Sequence, residues 1–116
     1  MRKTYVVSAK RSAIGSFLGS LTTVKPVDLG ATVVKALLED GKVAPEQVDE
    51  LLCGNVLSAG LGQNIGRQVA LAAGIPESVC SHSVNMVCGS GLRTVMEGVM
   101  SIQTGFNDIV VAGGVE

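Results

Sequence analysis

Short β-branched runs alternate with segments of helical spacing along this chain, and that alternation constrains its fold more than any other feature. Tyr5-Val6-Val7-Ser8-Ala9 reads as a first strand. After a polar loop, Pro26 suits the first turn of a helix, and Leu29, Val33, Leu37 and Leu38 keep helical spacing over about residues 26–40. Gly41 would stop that helix. Residues 45–47 form one helical turn. A second strand follows over 48–54, a second helix over 64–73, and a third strand over 81–85. A third helix spans about 89–104, with an apolar stripe of Leu92, Val95, Met96, Val99 and Ile102. Residues 108–113 hold the fully apolar Ile109-Val110-Val111-Ala112 as a fourth strand. The order β-α-β-α-β-α-β calls for an α/β fold with a mostly parallel sheet and helices on both faces. In such sheets ligands gather outside the carboxyl ends of the strands.

Composition supports a buried sheet and narrows the function. The 116 residues are 47% hydrophobic and 16% charged, which excludes disorder. With one Tyr, two Phe and no Trp, the core has to be built from aliphatic side chains. A net charge of −1 offers no basic patch for nucleic acid and no basic amphipathic helix for a membrane surface. No apolar run approaches the ~18 residues of a membrane span. The three cysteines, Cys53, Cys80 and Cys88, are odd in number and widely spaced, as expected in a reducing compartment. With one histidine and no CxxC pair, a zinc site is not expected.

Cys88 is the candidate for chemistry. It lies in a turn between the third strand and the third helix, where unpaired backbone N–H groups and the positive end of the helix dipole would face the sulfur. The thiolate is the nucleophilic form of a thiol. Gly89 and Gly91 leave room beside it for a bulky acyl donor. Cys53 and Cys80 read as structural residues. His82 precedes Cys88 by six residues, mostly along an extended strand, which separates the two α-carbons by roughly 15–20 Å. A general base has to come within about 3 Å of its proton or reach it through one water. His82 therefore reads as an edge or interface residue. Gly60-Leu61-Gly62-Gln63-Asn64 could bind a phosphate but reads better as a glycine-rich cap. Lys10-Arg11 reads as part of a solvated loop.

These residues carry a resemblance. Val84-Asn85-Met86-Val87-Cys88-Gly89-Ser90-Gly91-Leu92 resembles the active-site motif of thiolases. Four further blocks occur in the same order as in that family: 11–17, 54–57, 60–68 and 111–116. The cysteine block alone would also admit ketoacyl synthases; the co-linear blocks favour acetyl-CoA acetyltransferases. The resemblance implies a three-layer α/β/α half-domain with strand order 3-2-4-5-1. It implies that Cys88 attacks the thioester of acetyl-CoA and carries the acetyl group as an acyl-thioester, with its N–H in an oxyanion hole. A second acetyl-CoA would then give acetoacetyl-CoA, and thiolysis is the reverse. Gly89, Gly91 and Gln63 would contact substrate. Coenzyme A enters as part of the substrate, and no tightly bound cofactor is implied. The resemblance further implies a cytoplasmic dimer or tetramer that pairs across Ser81–Val84.

Thiolases are several times longer than 116 residues, so residues 1–116 are expected to form an incomplete amino-terminal domain without the family's fifth strand. The histidine that activates the nucleophile and the cysteine that exchanges the α-proton would lie outside it. The chain alone is then expected to be inactive. Alternatives are a unit acting only in folding or association, or a related ketoacyl-synthase-type condensing enzyme.

Overall fold

The computed structural model describes residues 1–116. Its elements are α1 (Pro26–Gly41), a 3-10 turn at Pro45–Gln47, β1 (Glu50–Gly54), α2 (Ile65–Ala72), β2 (Cys80–Val84), α3 (Ser90–Gln103) and β3 (Val110–Gly114). The three strands form one parallel sheet in the order β2-β1-β3. In register, Leu52 of β1 lies opposite His82 of β2 and Ala112 of β3. β1 is central and almost wholly buried, whereas the polar β2 occupies an edge, as its weakly apolar sequence predicts.

Side chains alternate across the sheet with period two. Leu51, Cys53 and Val111 join a core with Val34 and Leu38 of α1 and Val69 of α2. The opposite face, bearing Val110 and Ala112, meets α3 through Gly98, where a Cβ would already touch Val110 at 3.2 Å. The result is three layers: α1 with α2, the sheet, and α3. Thr94 fastens the last layer to the second, since its fully buried hydroxyl donates to the Gly113 carbonyl at 3.0 Å.

One expected element does not form. Tyr5–Ala9 belongs to no strand, and Tyr5, Val6 and Val7 are 73%, 83% and 71% exposed. A strand exists only beside a partner about 4.8 Å away, and in the order 3-2-4-5-1 the first strand touches only the fifth. No such strand lies beside residues 5–9. Between them and the outer edge of β3 runs an apolar cavity of about 930 Å³, walled by side chains that include Tyr5, Val7, Val33, Val99 and Val111. The gap falls where that order leaves a place vacant.

Polar ties hold the amino-terminal segment beside α1. The Ser8 hydroxyl donates to the Asp40 carboxylate at 2.7 Å, Lys10 pairs with Asp40 at 3.3 Å, and Arg2 pairs with Asp108. Lys10 is thus an ion-pair partner rather than a free loop cation. Close approach of Ser8 also explains Gly41, where a Cβ would lie 3.3 Å from that of Ser8. Gly41 is the last helical residue and not the stop; Lys42 takes the left-handed conformation at φ 54°. The Ser8 hydrogen bond, followed by Lys10, holds the Asp40 carboxyl below its ordinary range. A carboxyl lowered in the folded state supports the fold above its unfolded titration and loses that support as pH falls through the lowered value. Acidification is therefore expected to release residues 4–11 before the sheet unfolds. Limited pepsin digestion across falling pH should cut this segment first, and Asp40→Asn should make it cleavable at higher pH. An uncut segment in that variant would show that the tether lies elsewhere.

Candidate functional site at the Cys88 turn

β2 ends at Val84 and α3 begins at Ser90, so five residues make the turn that carries the thiol. Within it Val87 adopts φ 48°. A β-branched residue in the left-handed region is a true outlier, worth roughly 1–3 kcal/mol of local strain. Such strain persists only where neighbouring bonds enforce it. Here the Asn85 side-chain oxygen accepts the Val87 N–H at 3.1 Å. The Ser90 hydroxyl accepts the Met86 N–H at 2.8 Å and donates to the Val87 carbonyl at 2.6 Å. The Ser90 and Gly89 N–H groups also donate back into the turn, to Val87 and Met86.

The held turn places Cys88 immediately before Gly89, the N-cap of α3, with the residue exposed. Neither its thiol nor its N–H is engaged by any group of the chain. A free sulfur beside a free N–H at a helix start is an arrangement suited to taking up an acyl group and stabilising the oxyanion formed on the way.

The other expected residues distribute unevenly around this point. A Cβ on Gly91 would meet nothing within 4 Å, so that side of the turn is open. At Gly89 a Cβ would come within 2.8 Å of Met86 Cε, the mobile end of an exposed side chain that can move aside. Gln63 is exposed on the loop before α2; its carbonyl accepts from the Gln68 amide at 2.8 Å, and no hydrogen bond joins it to the Cys88 turn. That loop is a helix cap: Asn64, at φ 45°, accepts the Arg67 N–H. Cys53 is buried, and desolvation pushes its thiol up to about 11. Cys80, expected as a buried structural residue, is exposed because β2 is an edge. His82 faces two carboxylates, Glu50 at 3.5 Å and Glu97 at 3.7 Å, and not Cys88. No three His, Cys, Asp or Glu side chains converge as a metal cluster.

Three supports lie within the blocks 54–57 and 111–116, but what they do is visible only in the structure. A Cβ on Gly54 would lie 2.7 Å from the Ser90 carbonyl carbon and 2.8 Å from the Gly91 nitrogen, so this glycine lets the start of α3 rest on the end of β1. Just beyond, the Glu116 carboxylate accepts the N–H groups of Val56 and Leu57, the latter at 2.6 Å. Asn55, only 3% exposed, donates its amide to the Val115 carbonyl at 2.9 Å. The signal for Gly54 was a glycine at the carboxyl end of a central strand; nothing local in the sequence marks Glu116 as a cap 60 residues away.

Comparison with known proteins bears on this geometry. Residues 4–116 match the family described as "Thiolase, N-terminal domain". The chain is 52% identical over its whole length to an acetyl-CoA acetyltransferase of Escherichia coli, covering 29% of that protein. It is 53% identical over 111 residues, 96% of its length, to a cytosolic acetyl-CoA acetyltransferase of Rattus norvegicus, covering 28% of that protein. A solved thiolase from Ascaris suum, crystallised in complex with coenzyme A, superposes with a TM-score of 0.91 at 40% identity, over 95% of this chain and 29% of that one. The chain therefore spans under a third of the length of these relatives.

Proposed function

This chain belongs to the thiolase family, and from that premise we propose that it carries the nucleophile of an acetyl-CoA C-acetyltransferase, Cys88. The observation that carries the reading is the strained turn, which presents an exposed, unengaged thiol at the start of α3. Cys88 Sγ forms a bond to the acetyl carbonyl carbon of acetyl-CoA, the bond from that carbon to the sulfur of coenzyme A breaks, and coenzyme A leaves as its thiol once protonated. The Cys88 N–H donates to the oxygen that becomes negative in between. A second acetyl-CoA, deprotonated at its methyl group, then forms the carbon–carbon bond, Cys88 departs, and acetoacetyl-CoA results. Thiolysis runs the same steps backwards. Open space at Gly91 admits the thioester; Gln63 stands further along the same end of the sheet as a substrate contact.

His82, the one histidine of the chain, faces Glu50 and Glu97 and not Cys88, so the reading puts the base and the acid of this cycle outside residues 1–116. Residues 1–116 then act as an incomplete amino-terminal domain, without turnover of their own, and the gap beside β3 receives a further strand. The free edge of β2 at Ser81–Val84 pairs with a second copy in a cytoplasmic homo-oligomer, a reading supported by its edge position and by the cytosolic relative of Rattus norvegicus.

Alkylation tests the central point in the folded chain. With limiting iodoacetamide near neutral pH, peptide mapping should find Cys88 modified fastest, Cys80 more slowly, and Cys53 untouched until denaturant exposes it, because burial keeps its thiol protonated. With the chain joined to the rest of a thiolase, acetyl-CoA should leave an acetyl group on Cys88 alone. Equal modification of all three cysteines would overturn the assignment.

A further inference from the structure

We infer that Ser90 and Asn85 are positioning residues for Cys88, holding its turn in the strained conformation that sets this residue at the start of α3. The inference rests on the reading of Cys88 as the nucleophile. It goes beyond that reading by assigning what keeps the nucleophile aimed.

Val87 at φ 48° would relax into an extended or right-handed conformation if its neighbours allowed it. Either relaxation swings the next residue, Cys88, away from the helix start. Besides the Gly89 and Ser90 N–H groups that donate to the Met86 and Val87 carbonyls, the backbone on both sides of Val87 is gripped by side chains. Asn85 Oδ1 takes the Val87 N–H at 3.1 Å, and Ser90 Oγ takes the Met86 N–H at 2.8 Å while donating to the Val87 carbonyl at 2.6 Å. Every polar capacity of the Ser90 hydroxyl that these bonds use is spent on residues 86 and 87, and Ser90 is 5% exposed.

Ser90 is itself immovable. Its backbone lies against Gly54, where even a Cβ would come within 2.7 Å of the Ser90 carbonyl carbon. One turn later, Thr94 bonds the Gly91 and Gly113 carbonyls at 2.7 and 3.0 Å. The rigidity of β1 and β3 thus passes through Ser90 into the turn. An ordinary helix cap would accept the N–H groups of its own first turn; the Ser90 side chain instead reaches backwards to the residues before the cysteine. Asn85 completes the grip from the strand side, at an exposed position with no packing duty.

The experiment measures the ratio of Cys88 to Cys80 alkylation by iodoacetamide in folded Ser90→Ala, Asn85→Ala and Ser90→Thr, with thermal melting followed in parallel. Loss of the helix-end orientation should lower the ratio about two- to fivefold in both alanine variants, with the Cys80 rate unchanged and the ratio restored by threonine, which keeps the hydroxyl. A purely structural role would lower the melting temperature and leave the ratio intact in molecules that remain folded; that result overturns the inference while the nucleophile reading stands. A wild-type ratio near one would overturn both. Should Ser90→Ala fail to fold, Asn85→Ala at its exposed site decides alone: an unchanged ratio there rejects the inference, a lowered one sustains it.

Discussion

Gly66→Ala is expected to lower the melting temperature by about 10 °C or more, although alanine is the better helix former by about 1 kcal/mol. The reason is the closeness of α2 to β2. A Cβ at position 66 would lie 2.5 Å from the His82 carbonyl oxygen, 2.9 Å from the His82 carbonyl carbon and 3.2 Å from Cys53 Cβ. Two of those atoms are backbone, so no rotamer change relieves the clash. The Gly66 N–H also donates to the Ser83 hydroxyl at 3.0 Å, which fixes the helix at the contact height. To admit one methyl group α2 has to rise from the sheet, loosening Ile65, Val69 and Ala70, each no more than 3% exposed. Overpacking of this kind costs about 3 kcal/mol, a large share of the roughly 5–15 kcal/mol that holds a domain together. Gly91→Ala is the control. A Cβ there meets nothing within 4 Å, and its melting temperature should stay level or rise slightly. Circular dichroism melts of the two variants decide the matter; equal temperatures would mean that the α2–β2 approach is looser than described.

The same contrast shows what a sequence can and cannot disclose. Val48 to Gly54, the Ile109-Val110-Val111-Ala112 run and the 3.6-residue spacing of α1 and α3 carry their own structure, because hydrophobic period is a local property. Cys88 was legible for a related reason: a cysteine between a strand signal and a helix signal has few other places to be. Tyr5–Ala9 has equally good strand chemistry and still forms no strand, since pairing belongs to the partner and not to the run. Cys53 and Cys80 both read as structural in the sequence, yet one lies within the central strand and the other begins the edge strand, and that placement separates a thiol pushed up to about 11 from an exposed one. The grip on Val87 was illegible because Ser90 reads as one more small residue in a glycine-rich turn. Only the backbone conformation reveals that its hydroxyl opposes strain. Gly66 looks like a poor helix residue until the 2.5 Å approach of another backbone explains it.

Cys88→Ser should produce the largest functional effect of any single replacement. In a polypeptide joining this chain to the rest of a thiolase, acetyl transfer is expected to fall roughly ten-thousand- to million-fold, the scale seen when an enzyme loses its covalent nucleophile. Serine keeps the shape and the N–H, so the oxyanion donor survives and substrate binding changes little; the loss should appear in kcat and not in KM. What disappears is the intrinsic nucleophilicity of sulfur, since a serine hydroxyl is far harder to deprotonate than a thiol and remains the weaker nucleophile even with the base of the full polypeptide present. Stability should move by no more than about 0.5 kcal/mol, because Cys88 is exposed and its thiol bonds to nothing in the chain. Cys80→Ser, on the edge strand, should leave acetyl transfer intact. Steady-state kinetics of the two serine variants, with acetylated-peptide mapping of the wild type, check both halves. Activity that survives Cys88→Ser and vanishes with Cys80→Ser would move the nucleophile to the sheet edge and remove any catalytic meaning from the strained turn.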